Sequence, residues 1–78
     1  MSTEERFPRI VQDPDHVGGR PRIKGTRMPV AVIVELVAAG QTPAEILRDF
    51  DYLTVEDIRE ALRFAAELAA GRHPLPAG

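Results

Sequence analysis

Four basic side chains stand close together in a turn-rich segment that contains no acid, GGRPRIKGTRMP at residues 18–29. They are Arg20, Arg22, Lys24 and Arg27. Cations on an extended segment can follow the phosphates of a nucleic acid, and they can equally meet an acidic protein surface. Both interpretations stay open on the residues alone. Four phosphate contacts on B-DNA would give a salt slope of about −3.6 for each such arm.

A second pair of cations lies on a predicted helix further along the chain. Arg59 and Arg63 are one helical turn apart, so that they could reach guanine edges or phosphates in a major groove. The same stretch also carries three acids, Glu56, Asp57 and Glu60. Acids repel phosphates and can pair with arginines three residues away. For this helix alone we therefore favour a solvated, salt-bridged face over a DNA-reading face.

Residues with catalytic or metal-binding chemistry are scarce. The chain has no cysteine, its only serine is Ser2, and its two histidines, His16 and His73, lie far apart. The order Lys24-Gly25-Thr26 is not that of a phosphate-binding P-loop. The sequence therefore predicts no catalytic residue, cofactor, metal or small-molecule substrate, and a protein that is not an enzyme.

Charge is segregated along the chain although the net charge is only −2. Residues 16–29 carry four bases and no acid, which gives +4, whereas residues 43–70 carry three arginines and seven acids, which gives −4. Such separation steers a charged partner or attracts one subunit to another. No apolar run approaches the ~20 residues of a membrane span, and the N-terminus lacks the hydrophobic region of a signal peptide. We expect a cytoplasmic protein without membrane contact.

The pattern predicts a mainly α fold: a three-helix, helix-turn-helix domain with an N-terminal β-arm or hairpin. Arg9–Gln12 is a strand candidate, and a turn follows at residues 13–15. Pro29 suits the start of the first helix and Gly40 its end, while Thr42 and Thr54 open the next two helices as capping residues. Residues 1–8 are predicted to be a flexible N-terminus, 9–70 a single domain and 71–78 a flexible tail.

Self-association is predicted because a chain of 78 residues forms a small core and has no disulfide to reinforce it. Val30, Ile33, Val34 and Val37 form the core stripe of the first helix, and the remaining large apolar side chains open a second face. The predicted dimer interface consists of Ile10, Ile23, Val32 and Leu36.

Several short motifs resemble one known family. They are Asp13-Pro14, the run GGRPRIKGTRMPV at 18–30, Ala39-Gly40, Glu45-Ile46, Leu53-Thr54 and Glu56-Asp57-Ile58. Together they resemble the domain-of-unknown-function 433 family over about residues 9–70. Arg20 stands where many members have lysine, which preserves the charge. No single functional residue can be carried over, because the family's functional residues are not well defined.

The resemblance implies a homeodomain-like helix-turn-helix with a β-arm, usually dimeric. It also implies a bacterial antitoxin of a type II toxin–antitoxin pair, which neutralises a PIN-like ribonuclease toxin. Such an antitoxin would bind operator DNA and repress its own operon. The expected partners are therefore the toxin, operator DNA and a second copy of the chain. The DNA contacts would fall on the six cations already named in the arm and the third helix, five arginines and one lysine. The alternative is a protein-interaction or dimerisation module that does not bind DNA.

Overall fold

Helices make up most of the part of the chain that the computed structural model describes, residues 3–12 and 19–71. The elements are α1 (Thr3–Arg6), β1 (Ile10–Val11), β2 (Arg22–Ile23), α2 (Val30–Ala38), α3 (Pro43–Asp49) and α4 (Val55–Ala69). The predicted mainly α fold with three helices and an N-terminal hairpin is confirmed, and α1 adds a single further turn. The turn predicted at residues 13–15, His16, and the tail beyond Gly71 with His73 lie outside the described residues.

Both predicted capping boxes are formed. The Thr42 hydroxyl accepts a hydrogen bond from the Glu45 N–H at 3.2 Å, and the Thr42 N–H donates to the Glu45 carboxylate at 2.9 Å. At the next helix, the corresponding distances between Thr54 and Asp57 are 3.1 Å and 2.9 Å. An aspartate is shorter than the usual glutamate, and by its length alone it would close the box less well. Here Asp57 closes it completely.

The first of these caps also changes an acid's titration. The backbone N–H of Thr42, followed by its hydroxyl, holds the pKa of Glu45 below its ordinary value. Because the folded-state pKa is the lower one, the stabilisation is present above the pKa of the unfolded chain. It is lost as the pH falls through the folded-state pKa.

We expect Thr42→Ala and Thr54→Ala each to lower the free energy of unfolding by about 0.5–2 kcal/mol, because each removes the acceptor for a helix N-terminal N–H. Urea denaturation measures the loss. The matched controls are Thr42→Ser and Thr54→Ser, which keep the hydroxyl and should retain most of the stability. Equal midpoints for the alanine and serine variants would show that the hydroxyl bonds contribute nothing.

β1 and β2 form the N-terminal hairpin, and an isolated bridge between Arg22 and Pro29 links it to the start of α2. β1 and β2 run antiparallel, with Ile10 opposite Ile23 and Val11 opposite Arg22. On its other side, β2 meets the residues that lead into α2, since the Ile23 N–H donates to the Met28 carbonyl at 2.9 Å. From Arg22 to Pro29, the basic run therefore contributes one strand of the two-stranded sheet and the isolated bridge beside it.

The turn inside this run explains its glycine and threonine. Gly25 has φ of +78°, a left-handed conformation that side chains with a Cβ rarely adopt. The Thr26 hydroxyl donates to the Ile23 carbonyl at 2.8 Å and accepts from the Met28 N–H at 3.0 Å. These two residues form the turn. The hydrogen bonds given above for the turn do not involve the basic side chains beside it.

α2 connects the hairpin to the helical layer. Pro29 is extended, with ψ of 143°, and caps the helix instead of being its first residue. Val30 and Ile33 are buried, and α2 packs mainly on α4. Gly40, at φ of +95°, ends the helix as predicted. Within the described ranges, none of the helices has the length and hydrophobicity needed to cross a membrane.

The segment at residues 6–9 is part of the folded domain. Phe7 is 4% exposed and meets Phe64 of α4 edge to face, with 5.3 Å between the ring centroids. The sequence predicts a flexible N-terminus over residues 1–8, and the domain boundary it places at residue 9 is therefore too late. The physical reason is that an aromatic ring this close to the hairpin gains more from burial than the terminus loses in entropy.

Two of the four residues predicted for the dimer interface are buried in the core of the single chain. Ile10 and Ile23 are each 1% exposed and face each other inside the core of the single chain. They leave no surface for a second subunit, so this part of the predicted interface is wrong. Val32 and Leu36 are only partly buried and pack against the edge of the core.

Candidate functional site

One stripe of α4 holds the N-terminal segment. Asp57, Glu60, Phe64 and Glu67 are spaced at i, i+3, i+7 and i+10, which places them on one side of a helix. The segment at residues 6–9 runs against this stripe in the opposite direction, with Arg9 at Asp57 and Glu60, Phe7 at Phe64, and Arg6 at Glu67.

Arg9 makes the central contacts of this docking. Its Nη1 donates to the Asp57 carboxylate at 3.1 Å, and its backbone N–H donates to the Glu60 carboxylate. Asp57 and Glu60 are 7% and 5% exposed, although the sequence predicts a solvated face for them. The acid–aromatic stripe and the sequence Arg6-Phe7-Pro8-Arg9 were the available signal. Their complementarity spans about fifty residues, so local patterns do not reveal it.

The burial of these acids changes the charge that α4 presents to solvent. Over residues 55–63, two arginines and three acids sum to −1, but the exposed charged residues are Glu56, Arg59 and Arg63, which sum to +1. Arg63 lies 3.7 Å from Glu60, a pair three residues apart as the sequence suggests, and its side chain is still 68% exposed. Such an exposed ion pair is weak, so Arg63 can still contact a binding partner. The outward face of α4 is basic.

The basic arm is open to solvent at three of its four cations. Arg20, Lys24 and Arg27 are exposed, whereas Arg22, in β2, is partly buried. Among residues 3–12 and 19–71, none of these four side chains forms an ion pair. The acids of α4 that could have held the arm are instead used by Arg6 and Arg9. The arm therefore does not dock on an acidic helix face of its own chain.

Two hydrogen bonds and one ion pair connect the arm to α4. The Lys24 N–H donates to the Arg9 carbonyl at 2.7 Å, while the Arg9 N–H donates to Glu60. The other oxygen of Glu60 meets Arg63. The turn of the arm and the outward face of α4 are thus anchored to the same residue, Arg9. This fixes two groups of cations that lie about forty residues apart in the sequence.

The remaining predicted interface residues occupy α2. Val32 and Leu36 are four residues apart and both partly exposed, on a helix whose only charged residue is Glu35. In the described part of the chain, no group of three or more acids and histidines is arranged to hold a metal ion. The chemistry that these surfaces offer is recognition by charge and apolar contact.

The comparisons with known proteins give a family. Residues 10–65 match the model of the family described as "Protein of unknown function (DUF433)". The chain is also 38% identical over 56 residues to the uncharacterized protein y4eO of Sinorhizobium fredii (strain NBRC 101917 / NGR234). That match covers 72% of this chain and 25% of the relative, so the chain corresponds to about a quarter of that protein's length. No solved structure matches. The family match covers most of the chain, from β1 into α4: the chain belongs to the DUF433 family.

Proposed function

We propose that the chain is a cytoplasmic antitoxin that binds operator DNA as a dimeric repressor and neutralises a PIN-like ribonuclease toxin. The observation that supports DNA binding most is the inward burial of Asp57 and Glu60 on α4. It removes the main electrostatic objection to α4 as a recognition helix. The toxin partner is taken from the family resemblance alone.

The proposed DNA contacts divide between the two groups of cations. α4 has 15 residues, which corresponds to about 22 Å of helix. It follows α3 through a short turn, as the second helix of a helix-turn-helix does. Arg59 and Arg63 would lie toward base edges in the major groove. The exposed arm cations would hold the flanking phosphates, which position the helix without reading sequence.

Dimerisation would double this surface. Val32, Val34, Leu36 and Val37 are apolar side chains of α2 that are only partly buried within the chain, and a second copy would cover Val32 and Leu36. Two copies related by a twofold axis match the half-sites of a palindromic operator. Each dimer would then present two arms and two α4 helices to the same duplex.

A second candidate function is protein binding without DNA. Tyr52 is 53% exposed at the turn between α3 and α4, with its ring edge on to Phe50, and Val55 beside it is also exposed. Exposed aromatic side chains are typical of protein contacts. In this alternative the arm would meet an acidic surface of the toxin, and the unmodified chain would bind neither of the duplexes used in the next test.

The test of the proposed function is a comparison of sequence preference. We expect Arg59→Ala and Arg63→Ala to weaken binding to the DNA upstream of the chain's own gene by about 1–3 kcal/mol, the value of a lost bidentate base contact. Binding to unrelated duplex DNA should fall much less. Fluorescence anisotropy with both duplexes measures the two affinities.

The matched control is Arg48→Gln, because Arg48 is an exposed arginine on α3, outside both groups of cations. It should bind both duplexes as the unmodified chain does. If the unmodified chain binds neither duplex but still protects cells from a co-expressed ribonuclease toxin, the protein-binding alternative replaces the proposed function.

A further inference from the structure

The guanidinium of Arg22 has an unusual place in the arm. Arg22 and Ile23 are neighbours in β2, so their side chains point to opposite faces of the sheet. Ile23 enters the core, which puts Arg22 on the outer face with Val11, its partner across the strands. A further bridge joins Arg22 to Pro29 on the other side. Its backbone is therefore fixed from both sides.

The side chain of Arg22 is less well satisfied than its backbone. Its Nη1 is buried, and among the described residues no oxygen accepts a hydrogen bond from it. A guanidinium stays charged at all physiological pH values and carries five donors. A buried donor without an acceptor is unfavourable. Because Arg22 as a whole is only partly buried, an anion can approach it, and its partly desolvated charge is screened less than an exposed one.

The surroundings favour a phosphate oxygen over other anions. No acid occurs in residues 19–34, and Arg20 and Lys24, two positions away on either side, are exposed cations. A single carboxylate would satisfy Arg22 alone, whereas a chain of phosphates would satisfy all of these cations. Arginine also presents a planar fork that suits two phosphate oxygens.

We propose that Arg22 is a binding point for a phosphate oxygen of a nucleic-acid backbone, and that phosphate binding stabilises the fold by giving its partly buried charge a partner. The inference rests on the proposed function for the source of the phosphate. It goes further in separating Arg22 from the other arm cations. They would contact phosphates without changing the stability of the fold, whereas the phosphate contact of Arg22 would be linked to folding.

The test uses the full chain and inorganic phosphate, compared with sodium chloride at the same ionic strength. Phosphate at ten times its dissociation constant should raise the thermal unfolding midpoint by roughly 5–10 °C. Arg22→Gln should unfold at a higher temperature than the unmodified chain when phosphate is absent, because the unpaired charge is gone. It should lose the specific response to phosphate, whereas Arg48→Gln should keep it.

Three results would overturn the inference. One is a lower midpoint, or failure to fold, for Arg22→Gln in the absence of phosphate, which would mean that Arg22 stabilises the free protein. Another is an equal loss of the phosphate response in Arg27→Gln, which would indicate diffuse attraction. The third is equal stabilisation by acetate at matched ionic strength, which would indicate a carboxylate partner. In the unmodified chain, an NMR titration should shift the Arg22 Nε–H resonance and leave that of Arg48 in place.

Duplex DNA binding, measured on the same variants, separates this inference from the proposed function. A phosphate response that depends on Arg22, in a chain that does not bind DNA, would support the Arg22 site and contradict the proposed function. Normal DNA binding by Arg22→Gln, with weaker binding by Arg59→Ala, would support the function and contradict the Arg22 site.

Discussion

Replacing Phe64 by alanine is expected to lower the free energy of unfolding by about 3–5 kcal/mol. Phe64 is fully buried on α4 and meets Phe7 edge to face. The change leaves a cavity at the centre of the docked N-terminal segment and removes an aromatic pair. A chain of 78 residues is expected to have only ~4–12 kcal/mol of stability. Urea denaturation followed by circular dichroism measures the loss, and much of the variant should be unfolded at 37 °C.

The control for this prediction is Tyr52→Ala, which removes an aromatic ring that is 53% exposed. It should cost no more than about 1 kcal/mol, since it loses mainly the edge contact with Phe50. If Phe64→Ala and Tyr52→Ala were equally mild, the N-terminal segment would not be packed on α4 in solution. The inward burial of Asp57 and Glu60 would then lose its explanation.

The second large effect is expected from neutralising the exposed part of the arm. The triple variant Arg20→Gln, Lys24→Gln and Arg27→Gln should lower the affinity for duplex DNA about 100-fold for each chain in contact with it, at ~0.15 M salt. It should also make the salt slope shallower by about 2.7 for each chain, because three phosphate contacts are lost. The effect should be similar on the chain's own upstream DNA and on unrelated DNA, since phosphate contacts carry no sequence information.

Stability gives the control for the triple variant. The three side chains are exposed and form no ion pair within the described ranges, so the unfolding midpoint should change little. Arg48→Gln, which also removes an exposed positive charge, should leave DNA affinity intact. A triple variant that binds DNA normally but fails to restrain the toxin would place the arm on the protein partner.

Local signals in the sequence predict the helical elements well. Thr42 and Thr54 mark helix starts because the capping box lies within four residues of sequence, and Gly40 and Gly71 mark helix ends because both adopt the positive φ of such ends. Pro29 is displaced by only one position, from the first helical residue to the cap. Each of these features depends on neighbours in the chain.

Features that depend on distant residues could not be predicted in the same way. Ile10 and Ile23 fit a subunit interface and a core equally well, because an apolar strand position does not say what covers it. Asp57 and Glu60 resemble surface acids until Arg9, about fifty residues earlier, is placed against them. The charge of the α4 face is set by this long-range docking, and for that reason the sequence alone disfavours α4 as a DNA-reading helix.

The most direct test of DNA binding by the arm and α4 is the salt dependence of affinity for the duplex upstream of the chain's own gene. Plotted as log K against log salt concentration, the four arm cations predict a slope of about −3.6 for one chain and about −7.2 for a dimer. Unrelated duplex DNA should show a comparable slope at lower affinity. A slope near zero, or no binding to either duplex at ~50 mM salt, where phosphate contacts are strong, would contradict the proposed DNA-binding function.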